Sequence, residues 1–516
     1  MSTSSNCRSV FIRRWGHTLT YIPSATNPLL ILQGGRSDET AGYTYSSAPL
    51  IQETLFLPLR DNFELASPPW QLSERQAETV AWHTVGYLED TEGKGEGYTV
   101  SFGGDGGPTL PVQTNNDSLH LYSLGGSQDD IALNEVVGST PSQPMRRWYA
   151  SSGSIDKTTW LVSGGLKGDG SGLGFRDVYQ VTLDSGSNDG AVIFESQESL
   201  PTDLAGHATL VTQDGTVWLF GGYIPSTGQF LPLDKAYSRA SGTAGWTVID
   251  LKTSPSSSSS AVPPSRRGFS LVLVSPTKAI HYGGSTSVSP SSVDSSSVLS
   301  DLWELDLELG QWTLLTPAGQ SSSASARKRA VSDGPGERFE HAAVGVDGKM
   351  LVFGGMSPSL AQTAVLKLNL NHYTLCTDGH ADVPGRTNSE MADPGLYVYD
   401  VVSNSWTSEF PGVSGSAADD VRGIGSSDGT SEDSDSTTSG SGNGSSSGSS
   451  VSEVVVTKTD AAGGVVLSTR TVVVGAQTTR VVVVTSTSMG VVTTTDQAGV
   501  TGKYTGEKDY IRSLNY

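Results

Sequence analysis

Six times along this chain a short apolar run ends in a glycine pair: Gly34-Gly35, Gly103-Gly104, Gly164-Gly165, Gly221-Gly222, Gly283-Gly284 and Gly354-Gly355. The first members lie 69, 61, 57, 62 and 71 residues apart. A recurring period of this size with a fixed internal pattern denotes a repeat architecture, and it outranks any local reading. Upstream of each pair lies a related segment: RRWGHTLTYI (13–22), AWHTVGYL (81–88), RRWYASSGS (146–154), LAGHATLV (204–211), SRRGFSLVLV (265–274) and ERFEHAAVGV (337–346). Downstream comes an alternating run and often a tryptophan, most clearly in DLWELDLELGQWTLL (301–315).

Each of these stretches is short, rich in Val, Ile, Leu, Tyr and Trp, and bounded by Gly, Asp, Asn or Ser, which is strand composition. LWELDL alternates with period two, giving one buried and one wetter face. No window sustains a 3.6-residue apolar stripe long enough for a major helix. The repeating unit therefore reads as four antiparallel strands. Such a sheet has two apolar faces, and radial stacking of copies buries both while protecting the edges. Glycine makes up 61 of 516 residues, well above the usual ~7 %. The pairs are expected where the second strand leaves the crowded centre, at unusual dihedrals or close under a neighbour. Trp70, Trp246, Trp312 and Trp406 are read as packing between adjacent sheets.

Gly-Gly after an apolar strand, then a Tyr/Trp-x-(Leu/Tyr)-Asp strand and a tryptophan, resembles the kelch repeat of β-propellers over roughly residues 11–411. RWGHT, AGHAT and the serine-rich insertions are similar to fungal secreted or membrane-anchored kelch proteins, often galactose-oxidase-like in fold. The resemblance implies an all-β propeller. One feature departs from the pattern. AVLKLNLNHYTLCT (364–377) looks like the last two strands of blade six, yet GLYVYDVVSNSWTSEF (395–410) is a second copy of that strand pair with no glycine pair before it. Six blades with an insertion is the reading adopted, against a degraded seventh. Residues 1–10 then offer a closing strand against the last blade, with Cys7 and Cys376 as a candidate bridge.

In kelch propellers, partners are usually recognised by the loops at one end of the ring and by arginines just before the innermost strand. By resemblance those are Arg14, Arg147, Arg267 and Arg338, in blades one, three, five and six, with Val80 and Leu204 in blades two and four. Four guanidinium groups facing one funnel would attract a carboxylate-bearing or acidic peptide ligand. A salt bridge within its own blade is the alternative for each. The function so implied is non-catalytic binding of a protein or glycan partner. The rival is a galactose-oxidase-like copper-radical oxidase, which needs a tyrosine cross-linked to cysteine, a second tyrosine and two converging histidines. Only Cys376 lies in the propeller proper, near its end. His17, His83, His207 and His341 take equivalent places in different blades, which suits hydrogen bonding inside each blade. No metal or cofactor is expected, and no nucleophile elbow, H-E-x-x-H or phosphate loop occurs.

Lys+Arg 32 against Asp+Glu 53 gives a net charge of −21, which disfavours nucleic acid and anionic lipid as partners. After the propeller, 412–452 is a Ser/Gly/Asp-rich linker unable to build a core. Residues 453–516 form a Val/Thr-rich tail, read as a glycosylated stalk or as a small accessory β region. No stretch of ~18 apolar residues encodes a membrane span. The stalk-like tail favours the cell surface, whereas the absence of a secretory signal, taken literally, favours the cytoplasm.

Overall fold

The alternating LWELDL segment becomes the strand Leu302–Asp306, paired antiparallel with Lys278–Tyr282 on one side and Gln311–Leu315 on the other. Ser270–Ser275 completes the sheet on its inner side. In the computed structural model this unit recurs around a ring, giving a six-bladed β-propeller. The structure describes residues 7–11, 14–24, 27–37, 48–89, 97–107, 119–127, 130–136, 143–169, 171–184, 192–288, 296–317, 334–357, 372–376, 381–382, 396–413, 451–459, 465–473, 492–495 and 501–504.

Blade one consists of Thr18–Ile22, Leu29–Gln33, Leu55–Pro58 and Gln71–Leu72, and blade two of Ala81–Leu88, Tyr98–Asp105, Leu119–Ser127 and Asp130–Val136. Blade three holds Ser151–Ser154, Thr159–Ser163, Val178–Leu183 and Val192–Ser196. Blade four holds Ala208–Val211, Val217–Phe220, Lys235–Arg239 and Thr247–Asp250. In blade five Lys252–Thr253 adds a short parallel strand outside Gln311–Leu315, so the connection from blade four covers that edge. Blade six is built from Ala342–Val346, Lys349–Phe353, Leu396–Asp400 and Ser405–Thr407.

The core is a set of layers between blades. Leu30, Leu57 and Leu72 of blade one pack with Leu351, Phe353 and Val398 of blade six. Phe220 and Ala236 of blade four pack with Ala279, Leu305 and Trp312 of blade five. The tryptophans of the outer strands lean onto the preceding blade, as expected. Trp312 meets Phe220 edge-on at 6.5 Å and donates Nε1–H to the Leu233 carbonyl at 2.8 Å. Trp406 lies 5.4 Å from Tyr282, and Trp70 lies 5.3 Å from Phe353. Trp246 is only partly buried and carries Arg239 over its ring at 5.1 Å.

Two expectations are corrected here. The outer strands of blade six are Leu396–Asp400 and Ser405–Thr407, so 364–377 is an insertion between its second and third strands. Cys7–Phe11 does not join that blade either. It pairs with His372–Cys376 in a separate three-stranded sheet with Ala381–Asp382, in a register that sets Cys7 opposite Cys376; the side chains of both cysteines lie outside the described residues. At the ring's seam, Glu409–Phe410 pairs with Phe63–Glu64 beside blade one, with the Phe63 and Phe410 rings 5.3 Å apart.

The chain divides into two units, Met1–Ser427 and Asp428–Tyr516. In the second, Val451–Thr459 pairs antiparallel with Val465–Val473, and Val492–Thr495 with Thr501–Tyr504. No helix of the described residues is long and apolar enough to cross a membrane.

Candidate functional site

The first strands of neighbouring blades face one another around the axis. Two places before each, or in blade two at the strand's second residue, stands a residue in the left-handed region: Gly16 (φ 63°), Trp82 (56°), Tyr149 (53°), Gly206 (62°), Gly268 (61°) and Glu340 (56°). Their backbones are stitched together around one end of the ring. Trp82 N–H donates to the Gly16 carbonyl (2.6 Å), Tyr149 to Trp82 (3.1 Å), Gly206 to Tyr149 (2.9 Å), Glu340 to Gly268 (2.8 Å), and Gly16 to Glu340 (3.1 Å), which joins the last blade to the first. Each of these five hydrogen bonds joins two residues in the left-handed turn. Glycine takes it freely, whereas a residue with a β-carbon is disfavoured by roughly 1–2 kcal/mol. Trp82, Tyr149 and Glu340 are thus held in a conformation that their side chains oppose.

In four blades the residue three places before the first strand pairs with the residue after the glycine pair: Trp15↔Arg36, Ala205↔Tyr223, Arg267↔Ser285 and Phe339↔Met356. These positions and the left-handed ring form the propeller mouth. Behind them lie the glycine pairs, all with positive φ. The second glycine donates its N–H to the next blade: Gly35 to Val80, Gly165 to Leu204, Gly222 to Arg266, Gly284 to Arg338 and Gly355 to Arg14, at 2.8–3.0 Å. The histidines sit between blades, not inside them as expected. His83 Nε2 meets Thr18 Oγ1 at 3.1 Å, His207 Nε2 meets Ser163 Oγ at 2.9 Å, and His341 Nε2 meets Ser270 Oγ at 2.9 Å. Burial pushes all three imidazoles down to about 3, so they are neutral at physiological pH.

The donor chain through the glycine pairs also fixes the register of the arginines. Arg14, Arg147, Arg266 and Arg338 hold the same place in their blades. Each turns inward to the carbonyl of its own blade's first glycine: Gly34 (3.2 Å), Gly164 (3.2 Å), Gly283 (2.9 Å) and Gly354 (2.5 Å). Arg147 adds a bidentate pair with Asp177 at 2.8 and 3.0 Å, and Arg266 one with Asp301 at 2.5 and 2.8 Å. Burial works against the Asp301 carboxylate, yet the hydrogen bonds and charge of Arg266 hold it below the usual carboxylate range. The expected arginine-lined funnel is therefore not what these residues build. Arg14, Arg147 and Arg338 are 0–1 % exposed and belong to the blade interior. Arg267 stands one residue further on and is equally buried, at 2 % exposed, but turns to the ring residue Glu340, with which it pairs at 2.9 Å.

The mouth has two unlike halves. Trp15, Trp82, Trp148 and Tyr149 cluster with Leu50 and Met356 on one side. The Trp82 ring is 5.4 Å from Tyr149 and carries the Arg36 guanidinium at 5.2 Å, itself paired with Asp105 at 2.5 Å. On the other side stand Arg267, Glu340, Tyr223 and Asp203. Burial raises the Tyr223 phenol to about 12, with the charges of Arg267, Glu340 and Asp203 all in electrostatic reach. Asp203 accepts from Ser226 N–H (2.8 Å) and from the hydroxyls of Ser226 (2.5 Å) and Thr202 (3.2 Å).

His83, His207 and His341 lie at three different blade interfaces, and among the described residues no three of His, Cys, Asp and Glu gather as a metal site. The aromatic half of the mouth was missed in sequence. Its signal was available: the position before His17, His83, Ala150, His207, Phe269 and His341 reads Gly, Trp, Tyr, Gly, Gly, Glu across the six repeats, and bulky residues in a glycine column mark side chains kept for their own sake.

No family model matches the chain. The chain is similar to Adagio-like protein 1 of Oryza sativa subsp. japonica, with 25 % identity over 270 residues, which is 52 % of this chain and 38 % of that protein. The chain thus spans well under half the length of this curated relative. Among solved structures it is similar to the one titled "Structure of YjhT", with a TM-score of 0.35 and 15 % identity, covering 64 % of this chain and 94 % of that one.

Proposed function

We propose that this chain is a non-catalytic recognition module of kelch type, binding a protein or glycan partner at the propeller mouth. The observation that carries this reading is the left-handed ring. Three of its six places hold Trp82, Tyr149 and Glu340 although glycine would relieve the backbone. Two of these belong to an aromatic cluster at the open end of a rigid scaffold, the usual setting of interface anchors. The left-handed glycine pairs and the tryptophans packed between blades support reading the blades as kelch repeats.

The test compares the whole chain with its Tyr149→Asn variant on arrays of peptides and oligosaccharides. Asparagine accepts the left-handed turn, so the thermal unfolding midpoint should hold while ligand binding falls. Binding that is untouched by Tyr149→Asn and by Trp148→Ala would overturn the reading.

A further inference from the structure

The three glycines of the ring are not equivalent. A β-carbon on Gly16 would meet the Trp82 indole nitrogen at 2.6 Å, and one on Gly268 would meet the Glu340 carboxylate at 3.0 Å, so neighbouring side chains already cover both. On Gly206 the nearest atoms would be the Arg267 β-carbon at 3.5 Å and the Gly268 nitrogen at 3.9 Å, which is ordinary contact. The ring therefore has a notch at blade four. Tyr149, which accepts the Gly206 N–H at its carbonyl, stands on one side, and the Arg267–Glu340 pair stands on the other. Tyr223, in register opposite Ala205, stands at its blade-four rim, with the buried Asp203 in electrostatic reach of its phenol.

We infer that this notch receives the lysine or arginine side chain of a flexible basic segment in a partner protein. The inference rests on the mouth being the binding surface and names the chemistry of what binds. Two carboxylates, Glu340 and Asp203, stand near the notch against one guanidinium, Arg267. That guanidinium is already matched by Glu340 at 2.9 Å. The hydrogen bonds made to the Asp203 carboxylate come from Ser226 and Thr202, both neutral. Tyr149 and Tyr223, both partly exposed, supply aromatic faces of the kind that attract cations. The mouth already uses this contact within itself, with Arg36 over Trp82 at 5.2 Å and Arg267 over Phe339 at 5.8 Å. At long range the net charge of −21 steers basic partners inward and repels acidic ones. The acidic ligand expected from an arginine-lined funnel is thereby replaced by its opposite.

Fluorescence anisotropy on the full chain, with labelled peptides of equal length that are lysine/arginine-rich, neutral or glutamate-rich, tests this. The basic peptide should bind selectively and weaken as salt rises from ~50 to ~300 mM. Asp203→Asn should weaken it roughly tenfold and flatten the salt dependence. Gly206→Asn, which keeps the left-handed turn while filling the notch, should abolish binding without moving the unfolding midpoint. If a glutamate-rich peptide or a neutral oligosaccharide binds instead and Gly206→Asn removes it, the mouth stands as the binding surface and the cationic partner is wrong. If Gly206→Asn and Tyr149→Asn change the binding of no peptide or oligosaccharide, both readings are overturned.

Discussion

The imidazole of His17 lies over Gly354, so that the first blade rests on the glycine pair of the last. A β-carbon on Gly354 would come within 2.6 Å of the His17 Cε1 and 2.5 Å of the Arg14 carbonyl oxygen. Gly354 also takes φ 65°. Both the backbone conformation and the space exclude a side chain, at the seam where the ring closes.

Gly354→Ala is therefore expected to destabilise the propeller by about 3 kcal/mol or more, combining left-handed strain with displacement of backbone across the seam. Gly228 has a similar φ of 67° with nothing within 4 Å. Gly228→Ala should lose only the conformational part, about 1 kcal/mol. Chemical denaturation of the two variants separates the terms; equal losses would show that the close approach at the seam is unimportant.

Stability should fall in mild acid. His83, His207 and His341 stay neutral in the folded chain down to about pH 3. In the unfolded chain the same rings take protons below about 6.5. The unfolded state therefore binds more protons between these values, and stability declines as pH drops through that window, by roughly 2 kcal/mol per histidine at pH 5. Above about pH 6.5 these groups contribute no pH dependence. Replacing His207 with Asn should flatten part of the slope in denaturation measured from pH 7.5 to about pH 5.

Arg266 and Asp301 form a bidentate pair with the guanidinium fully buried. Arg266→Ala leaves the Asp301 carboxylate without its countercharge, though still bonded by the Trp303 indole N–H, and removes the guanidinium donor to the Gly283 carbonyl, and should cost about 3–5 kcal/mol. A double-mutant cycle with Asp301→Asn should return a large coupling. Lys235, paired with Asp250 at the surface, is the control: its removal should leave the unfolding midpoint unchanged.

At the mouth, Tyr149→Gly exchanges strain for contact. Relief of the left-handed backbone offers roughly 1–2 kcal/mol, and loss of the ring contact with Trp82 takes back about 1 kcal/mol. The variant should be as stable as the parent within about 1 kcal/mol, or slightly more stable. Trp82→Gly, by contrast, empties a buried site packed on Trp148 and Tyr149 and should cost about 3 kcal/mol or more. Calorimetry on both variants checks the contrast.

The period of the glycine pairs, the alternation of segments such as LWELDL and the placing of Trp70, Trp312 and Trp406 were sufficient to read an all-β six-bladed ring from the sequence. These signals are local: a left-handed turn demands glycine, and a two-residue period demands a strand, whatever lies elsewhere in the chain. The role of each arginine was not local. Arg266 and Arg267 are adjacent, and in extended chain neighbouring side chains face opposite ways, so one step of register sends one into the blade and the other to the ring residue Glu340. That step was decided by Gly222 donating to the Arg266 carbonyl from the neighbouring blade. The same holds for 364–377, whose strand-like pattern matched the outer strands of a blade. Only competition for the edge of Lys349–Phe353, taken by Leu396–Asp400, showed it to be an insertion. Composition and period determined what kind of blade this chain makes; contacts between blades, which no single repeat contains, decided which residues the ring turns toward a partner.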